Sequence, residues 1–318
     1  MAAYLGQRLV VLAVSLGLLT VVVFGLTQAL PGDVARMIVG QFYDPVAVDA
    51  LRKDLGLNDP LYVQYGRWAS HALQGDFGRS LVIKRPVAPI VADAFLKSLS
   101  LGVCTVVVVG IFGTALGVLG AVKRNSLVDH VTAIVAFLGI SVPEFFTGIL
   151  LIIVFSAYLH WLPSTGYVSP TEDPLGWLQH SVLPIATLSL ALTAHIARLT
   201  RSSMLEVLQT TYVRAARARG LSELTVLTRH ALRNALLPTI TVLALDFAAL
   251  VGEFVVVETV FAYPGLGRLT IYAIQQRDLP LIQACILVSS AGYLVANLVA
   301  DILYAYLNPR IRYGGAST

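Results

Sequence analysis

Six long runs with few or no charges alternate with polar segments along the chain. Arg8 is followed by an apolar run from Leu9 to Leu30, closed by Pro31-Gly32-Asp33. The hydrocarbon core of a bilayer takes about 20 residues of helix, at ~1.5 Å rise each. Residues 1–30 therefore predict a first transmembrane helix. The run is too long for the core of a signal peptide, and Thr27-Gln28-Ala29 is a poor cleavage site. Ser98 to Val122 carries no charge and predicts a second span. A third runs from Val131 to Leu159, interrupted by Pro143-Glu144, and a fourth from Leu183 to Leu199, with Pro184 and His195 inside it. The fifth covers Ala235 to Val257 and the sixth Leu281 to Leu307.

The polar segments differ in kind. Residues 31–97 carry nearly balanced acids and bases and are broken by Pro45, Pro60, Pro86 and Pro89, which reads as a small water-facing insertion of short helices. Trp161 to His180 is a polar loop without Lys or Arg. Basic residues gather instead at Arg8, at Lys123-Arg124, between Arg198 and Arg233, and at Arg310 and Arg312. Short cytoplasmic loops collect Lys and Arg, so six spans place both termini and the arginine-rich segment in the cytoplasm and residues 31–97 outside. Long loops cross largely regardless of charge, so the bases of the insertion do not oppose this.

Composition narrows the class further. The chain of 318 residues is 57% hydrophobic and only 13% charged, with a mean hydropathy of +0.77. Open sheet edges cannot be satisfied in hydrocarbon, so the expected fold is an all-α polytopic membrane protein. The net charge of +4 is explained by orientation and does not call for nucleic acid. Cys104 and Cys285 lie in apolar runs, too far apart in sequence for a metal-ligand pattern, and read as packing residues. Gly113 and Gly117 have the GxxxG spacing that lets helix backbones approach closely.

Little in the chain could carry covalent chemistry. A phosphate-binding P-loop needs Gly-Lys, and none of Lys53, Lys84, Lys97 and Lys123 follows a glycine. There is no HExxH and no GxSxG, and the histidines at 71, 130, 160, 180, 195 and 230 share no metal-binding spacing. The intramembrane acids are more informative. An acid at the bilayer centre costs about 2.5–3.5 kcal/mol on insertion scales, and such residues usually face an aqueous path or a partner. Glu144, Asp246 and Glu253 are the candidates, and the spacing of Asp246 and Glu253 puts them on roughly one helix face. A polar stripe along a substrate path and bonding to neighbouring helices are both open readings.

The arginine-rich stretch from Tyr212 to Pro238 reads YVRAARARGLSELTVLTRHALRNALLP. Ala215, Ala216 and Ala218 favour helix, Gly220 suits a left-handed helix end, and Ser222 can cap a second helix. Leu224, Leu227 and Ala231 would give that helix its apolar face. Charge alone fits an anchor for phospholipid headgroups as well as a dock for an acidic groove on a soluble partner.

This stretch resembles the EAA loop of permease subunits of binding-protein-dependent ABC importers. That pattern has Glu-Ala-Ala, three residues, then Gly, where this chain has Arg214-Ala215-Ala216, three residues, then Gly220. The departure resembles the peptide and nickel branch. So do LPGD at Leu30 to Asp33, LGLNDPLYVQY at Leu55 to Tyr65, GDFGRS at Gly75 to Ser80, VVVETVFAYPGLGRL at Val255 to Leu269 and LNPRIR at Leu307 to Arg312. The chain looks like the first permease of a dipeptide/oligopeptide cassette.

The resemblance implies a bacterial plasma-membrane subunit that is no enzyme and holds no cofactor, with ATP and Mg bound by two ATPase subunits or domains. It implies a homologous second permease forming a heterodimer, an extracytoplasmic solute-binding protein, and membrane lipid around them. Residues 1–30 would be the N-terminal helix, 31–97 the extracytoplasmic insertion, and 98–318 a five-helix core with its coupling loop at 200–235. Tyr212, Arg214, Ala215, Ala216, Arg217, Arg219, Gly220, Leu221 and Ser222 would touch the ATPase. The cargo would be di- or oligopeptides, with nickel chelates or glutathione as alternatives. The competing class is an ion-coupled secondary transporter, with Asp246, Glu253 and His195 as a proton relay. An intramembrane hydrolase lacks a nucleophile paired with a base.

Overall fold

The computed structural model describes residues 2–29, 48, 49, 52, 53, 56 and 58–307. LPGD, LNPRIR after its Leu307, with Arg310 and Arg312, most of 31–57, and Leu55 and Leu57 of LGLNDPLYVQY lie outside the described residues. Among those described the protein is helical, with no strand; an antiparallel bridge between Arg79 and Pro86 closes a turn. In chain order the helices are α1 (Ala2–Ala29), α2 (Leu61–Leu73), α3 (Val87–Val122), α4 (Leu127–Ser141), α5 (Glu144–Tyr158), α6 (Pro174–Leu208), α7 (Thr211–Ala218), α8 (Glu223–Val260), α9 (Leu266–Gln275) and α10 (Leu279–Leu307).

Five of them, α1, α3, α6, α8 and α10, are long and apolar enough to cross a bilayer. The expected third span departs from this pattern. Instead of one helix from Val131 to Leu159 there are two, because Pro143 lacks an N–H and turns Val142 away from helical geometry. Pro143 is extended (ψ 141°) and starts α5, whose second half, Ile152–Tyr158, winds as a π-helix. The second and fourth spans are longer than their apolar runs. α3 begins at Val87, inside the stretch read as insertion. α6 begins at Pro174, inside the stretch read as loop, because Asp173 caps it through Leu175 N–H (3.1 Å) and Pro174 stands at the first helical position, where no N–H is needed.

The contacts divide the chain into two compact units, with a boundary at Lys97–Ser98 that falls within α3. One unit holds Ala2–Lys97 with Gly265–Gly292. Its core gathers Val87, Val91, Leu266, Ala273, Leu281 and Cys285. Within it α2 lies on α1 through Phe24, Tyr65 and Trp68, whose ring centroids are 5.6–6.2 Å apart.

The other unit holds Ser98–Pro264 and the chain from Tyr293 on. α6 is its centre, packed mainly against α8 and α4. Leu101, Leu183, Leu188, Ile196, Leu250, Phe261 and Tyr263 form its buried core. α3 reaches α6 through its glycines: a methyl group on Gly117 would stand 2.6 Å from both the Ala197 carbonyl and Thr200 Cβ, and one on Gly113 2.8 Å from Ile196 Cγ2. The GxxxG spacing is thus used for packing within the chain.

Gly117→Ala must push backbone against backbone, so it should destabilise the purified protein by about 1–3 kcal/mol. Gly252→Ala, with nothing within 4 Å of the added carbon, should leave the thermal midpoint unchanged or raise it, since Ala outranks Gly in helices by ~1 kcal/mol. Equal midpoints for the two variants would refute the close fit.

Candidate functional site

The arginine-rich stretch folds as two helices around a tight turn. α7 ends where the Gly220 N–H donates to the Arg217 carbonyl (2.9 Å), with Gly220 at φ +78°. That left-handed conformation is cheap only without a Cβ. Ser222 Oγ then accepts the Thr225 N–H and opens α8. Two braces cross the turn. Arg217 holds Glu223 through two guanidinium nitrogens, Nη2 (2.6 Å) and Nε (3.1 Å), and Asn234 Nδ2 donates to the Tyr212 hydroxyl (2.8 Å). Underneath, Val213, Ala216 and Val226 are buried together against Val207 and Leu208.

Of the nine residues nominated from sequence, Ala216 is buried in this small core. Tyr212, Arg214, Ala215, Arg217, Arg219, Gly220, Leu221 and Ser222 are each exposed. Leu224 is 72% exposed rather than part of the buried face; Ala231 is buried and Leu227 packs against its cluster, as expected, and Val226 is buried as well. Residues 226–232 wind as a π-helix, whose i→i+5 bonds shift the phase of an apolar pattern read with α-helical spacing.

The nominated acids also converge. Asp246 on α8 pairs with His195 Nδ1 on α6 (3.1 Å). Glu253, two turns further along α8, lies beside Glu144 in the first turn of α5. One carboxyl oxygen of Glu253 is buried without a hydrogen-bond partner. α5, α6 and α8 thus present a continuous polar line within one unit, able to meet a cationic or hydrogen-bond-donating group.

Three further carboxylates are structural, and sequence reading passed them over. Asp129 is gripped by Arg201 through two nitrogens (2.6 and 2.7 Å) and accepts the Asn125 N–H. The Arg201 hydrogen bond, with the Asn125 N–H second, holds its carboxyl at about 2. Glu258, fully buried, accepts the Ser98 hydroxyl. Asp278, also fully buried, accepts the Ser80 hydroxyl and the Val82 N–H. Ser80 ends the GDFGRS string, and Glu258 lies within VVVETVFAYPGLGRL, so both strings hold a partner of a buried bond. Among the described residues no group of His, Cys, Asp and Glu could hold a metal.

Ser98→Ala removes a hydroxyl donor from a buried acid, and should lower stability by about 1–3 kcal/mol in thermal unfolding of the purified protein. Ser98→Thr should recover most of the loss. A midpoint unmoved by the alanine would mean that Glu258 does not depend on this hydroxyl.

The family model described as "Binding-protein-dependent transport system inner membrane component" matches residues 113–313, and its N-terminal companion matches residues 1–102. The chain is 45% identical over 313 residues to the glutathione transport system permease protein GsiC of Escherichia coli strain K12, covering 98% of this chain and all of that protein. The GsiC of Shigella flexneri serotype 5b gives the same identity and coverage. Among solved structures, the inward-facing MetNI methionine ABC transporter aligns with a TM-score of 0.50 at 17% identity, over 67% of this chain and 96% of that one, which is a likeness of fold.

Proposed function

The chain belongs to the binding-protein-dependent transport system inner membrane component family and is a permease of an ABC importer, and on that premise we propose that it carries short peptides, glutathione among them, across the bacterial inner membrane. The observation behind this cargo is the 45% identity to glutathione permeases across 98% of the chain. Ion-coupled transport, the other class open from sequence, is set aside by the family.

In the proposed arrangement α1, α3, the α4–α5 pair, α6, α8 and α10 make six crossings, with both termini and the α7 turn in the cytoplasm. Residues 31–97 form an extracytoplasmic insertion facing a solute-binding protein. Residues 98–318 form the core, with its coupling loop at 200–235. A homologous permease completes the pathway as a heterodimer. Two ATPase subunits or domains bind ATP and Mg, consistent with a chain whose lysines never follow glycine. The exposed surface from Tyr212 to Ser222 enters a groove of one ATPase, and closure of the ATPase pair moves α7 to drive alternating access. Glu144, Asp246 and Glu253 line the path. Their polar line suits the α-ammonium and amide N–H groups of a peptide.

Uptake by the assembled transporter, with labelled glutathione, di- and oligopeptides and chelated nickel, tests the cargo. Peptide or glutathione uptake should require the ATPase and be blocked by vanadate. Uptake of nickel chelates alone would overturn the peptide reading. Gly220→Val forces a β-branched residue into φ +78°. It should leave ATP hydrolysis running while transport falls about tenfold or more, as misplacement of a coupling element predicts. Normal coupling there would count against the docking role. Asp246→Asn and Glu253→Gln should each change KM or the maximal rate, and wild-type kinetics in both would remove the acids from the path.

A further inference from the structure

We propose that the cleft between the ends of α3, α4 and α6 binds the headgroup of an anionic phospholipid in the cytoplasmic leaflet. The proposal rests on the orientation given above, with the Lys123-Arg124 loop inside the cell, and is independent of the cargo.

The cleft has a volume of about 450 Å³ and a mixed lining. Leu116, Ala133, Phe137 and Ala197 supply its apolar wall, and Asn125, His130 and Arg198 its polar groups. Asp129, the one acid in the lining, already has both oxygens taken by Arg201. No ion pair is formed by Arg198, Lys123 or Arg124 among the described residues, and all three are exposed. Arg198 therefore brings an uncompensated cation to the lining, and Lys123 and Arg124 directly precede the lining residue Asn125 in the chain. Basic pockets between transmembrane helices on the cytoplasmic side suit lipid headgroups.

The apolar wall decides between a lipid and a free anion. Phe137 is 72% exposed and Ile134, one turn away on α4, 59% exposed. Inorganic phosphate would leave that surface uncovered, whereas a phosphodiester carrying acyl chains meets Arg198 with its headgroup and Phe137 with its tails. Arg201 is held in place by Asp129, so its guanidinium is a fixed part of the wall; Arg198 is the group free to turn toward the phosphate, beside His130, whose Nδ1 bonds the Ser126 carbonyl (2.8 Å).

The test is lipid retention by the full chain assembled with its partner subunits, measured by native mass spectrometry after exchange into phosphatidylglycerol or phosphatidylcholine. Wild type should retain phosphatidylglycerol preferentially, and millimolar inorganic phosphate should not displace it. Arg198→Gln should cut retention about fivefold, the share of one basic side chain near a membrane surface, and adding His130→Gln should cut it further. Phe137→Ala should weaken retention of phosphatidylglycerol without creating a response to phosphate. Equal retention of the two lipids, unchanged retention in the Arg198→Gln/His130→Gln variant, or displacement by phosphate would each overturn the proposal. So would loss of subunit assembly in that variant with lipid retention intact, which would assign the cleft to a protein partner.

Discussion

A carboxylate taken out of water survives only beside a donor that replaces its hydration. In this chain the donors come from far along the sequence: Ser98 for Glu258, 160 residues away, Ser80 for Asp278, 198 away, and Arg201 for Asp129, 72 away. Apolar helix faces cannot specify such long-range pairings alone, because lipid tails satisfy them nearly as well as another helix does. Directional bonds and close fits must supply the register. Gly117 against the Ala197 carbonyl and Asp129 on Arg201 fix the same stretch of α6, one by steric fit and the other by charge. A helix sliding by one turn would lose both. The cost of burying an acid is thereby turned into specificity, while the neighbouring apolar surface remains free to meet lipid or another subunit.

The same constraint explains which features could be read from the sequence. Apolar runs long enough to cross a bilayer announce themselves, because the membrane sets their length, and α1, α3, α6, α8 and α10 each contain such a run. Helix ends were less legible, since α3 and α6 continue past their apolar runs into polar residues that form helix equally well in water. Pro143 was visible as an interruption, but its outcome, two helices instead of one kinked span, depends on the extended backbone it adopts. Gly220 and Ser222 could be assigned to a helix end and a cap because both act within four residues. Glu258 could not be recognised as a buried hub, since a glutamate near the end of an apolar run has the pattern of an interfacial residue until Ser98 is brought beside it. Leu224 was misplaced because a π-helical stretch follows it, and an i, i+3, i+4 count presumes α-helical winding. Asp246 and Glu253 stand out by composition, yet their neighbours, His195 and Glu144, come from helices whose packing the sequence does not state.

α8 joins the two candidate regions. It begins at Ser222, beside the turn proposed to meet the ATPase, and carries Asp246 and Glu253, proposed to line the path. At ~1.5 Å per residue the acids lie roughly 35–45 Å from its start. A loose loop at the cytoplasmic end would absorb displacement before it reached them. The turn is instead tied to α8 by the Arg217–Glu223 pair, the Tyr212–Asn234 bond and the Val213–Ala216–Val226 core. Any displacement of α7 must therefore tilt or bend α8. Bending concentrates where the hydrogen-bond ladder is weakest, and α8 has such a region, the π-helical Val226–Leu232 followed by Pro238. The acids lie beyond it, so a hinge there would swing Asp246 and Glu253 against His195 and Glu144 while leaving the turn intact. In the proposed cycle, the polar line between α5, α6 and α8 then opens and closes through rotation of one helix, without any of its residues having to contact the energy source.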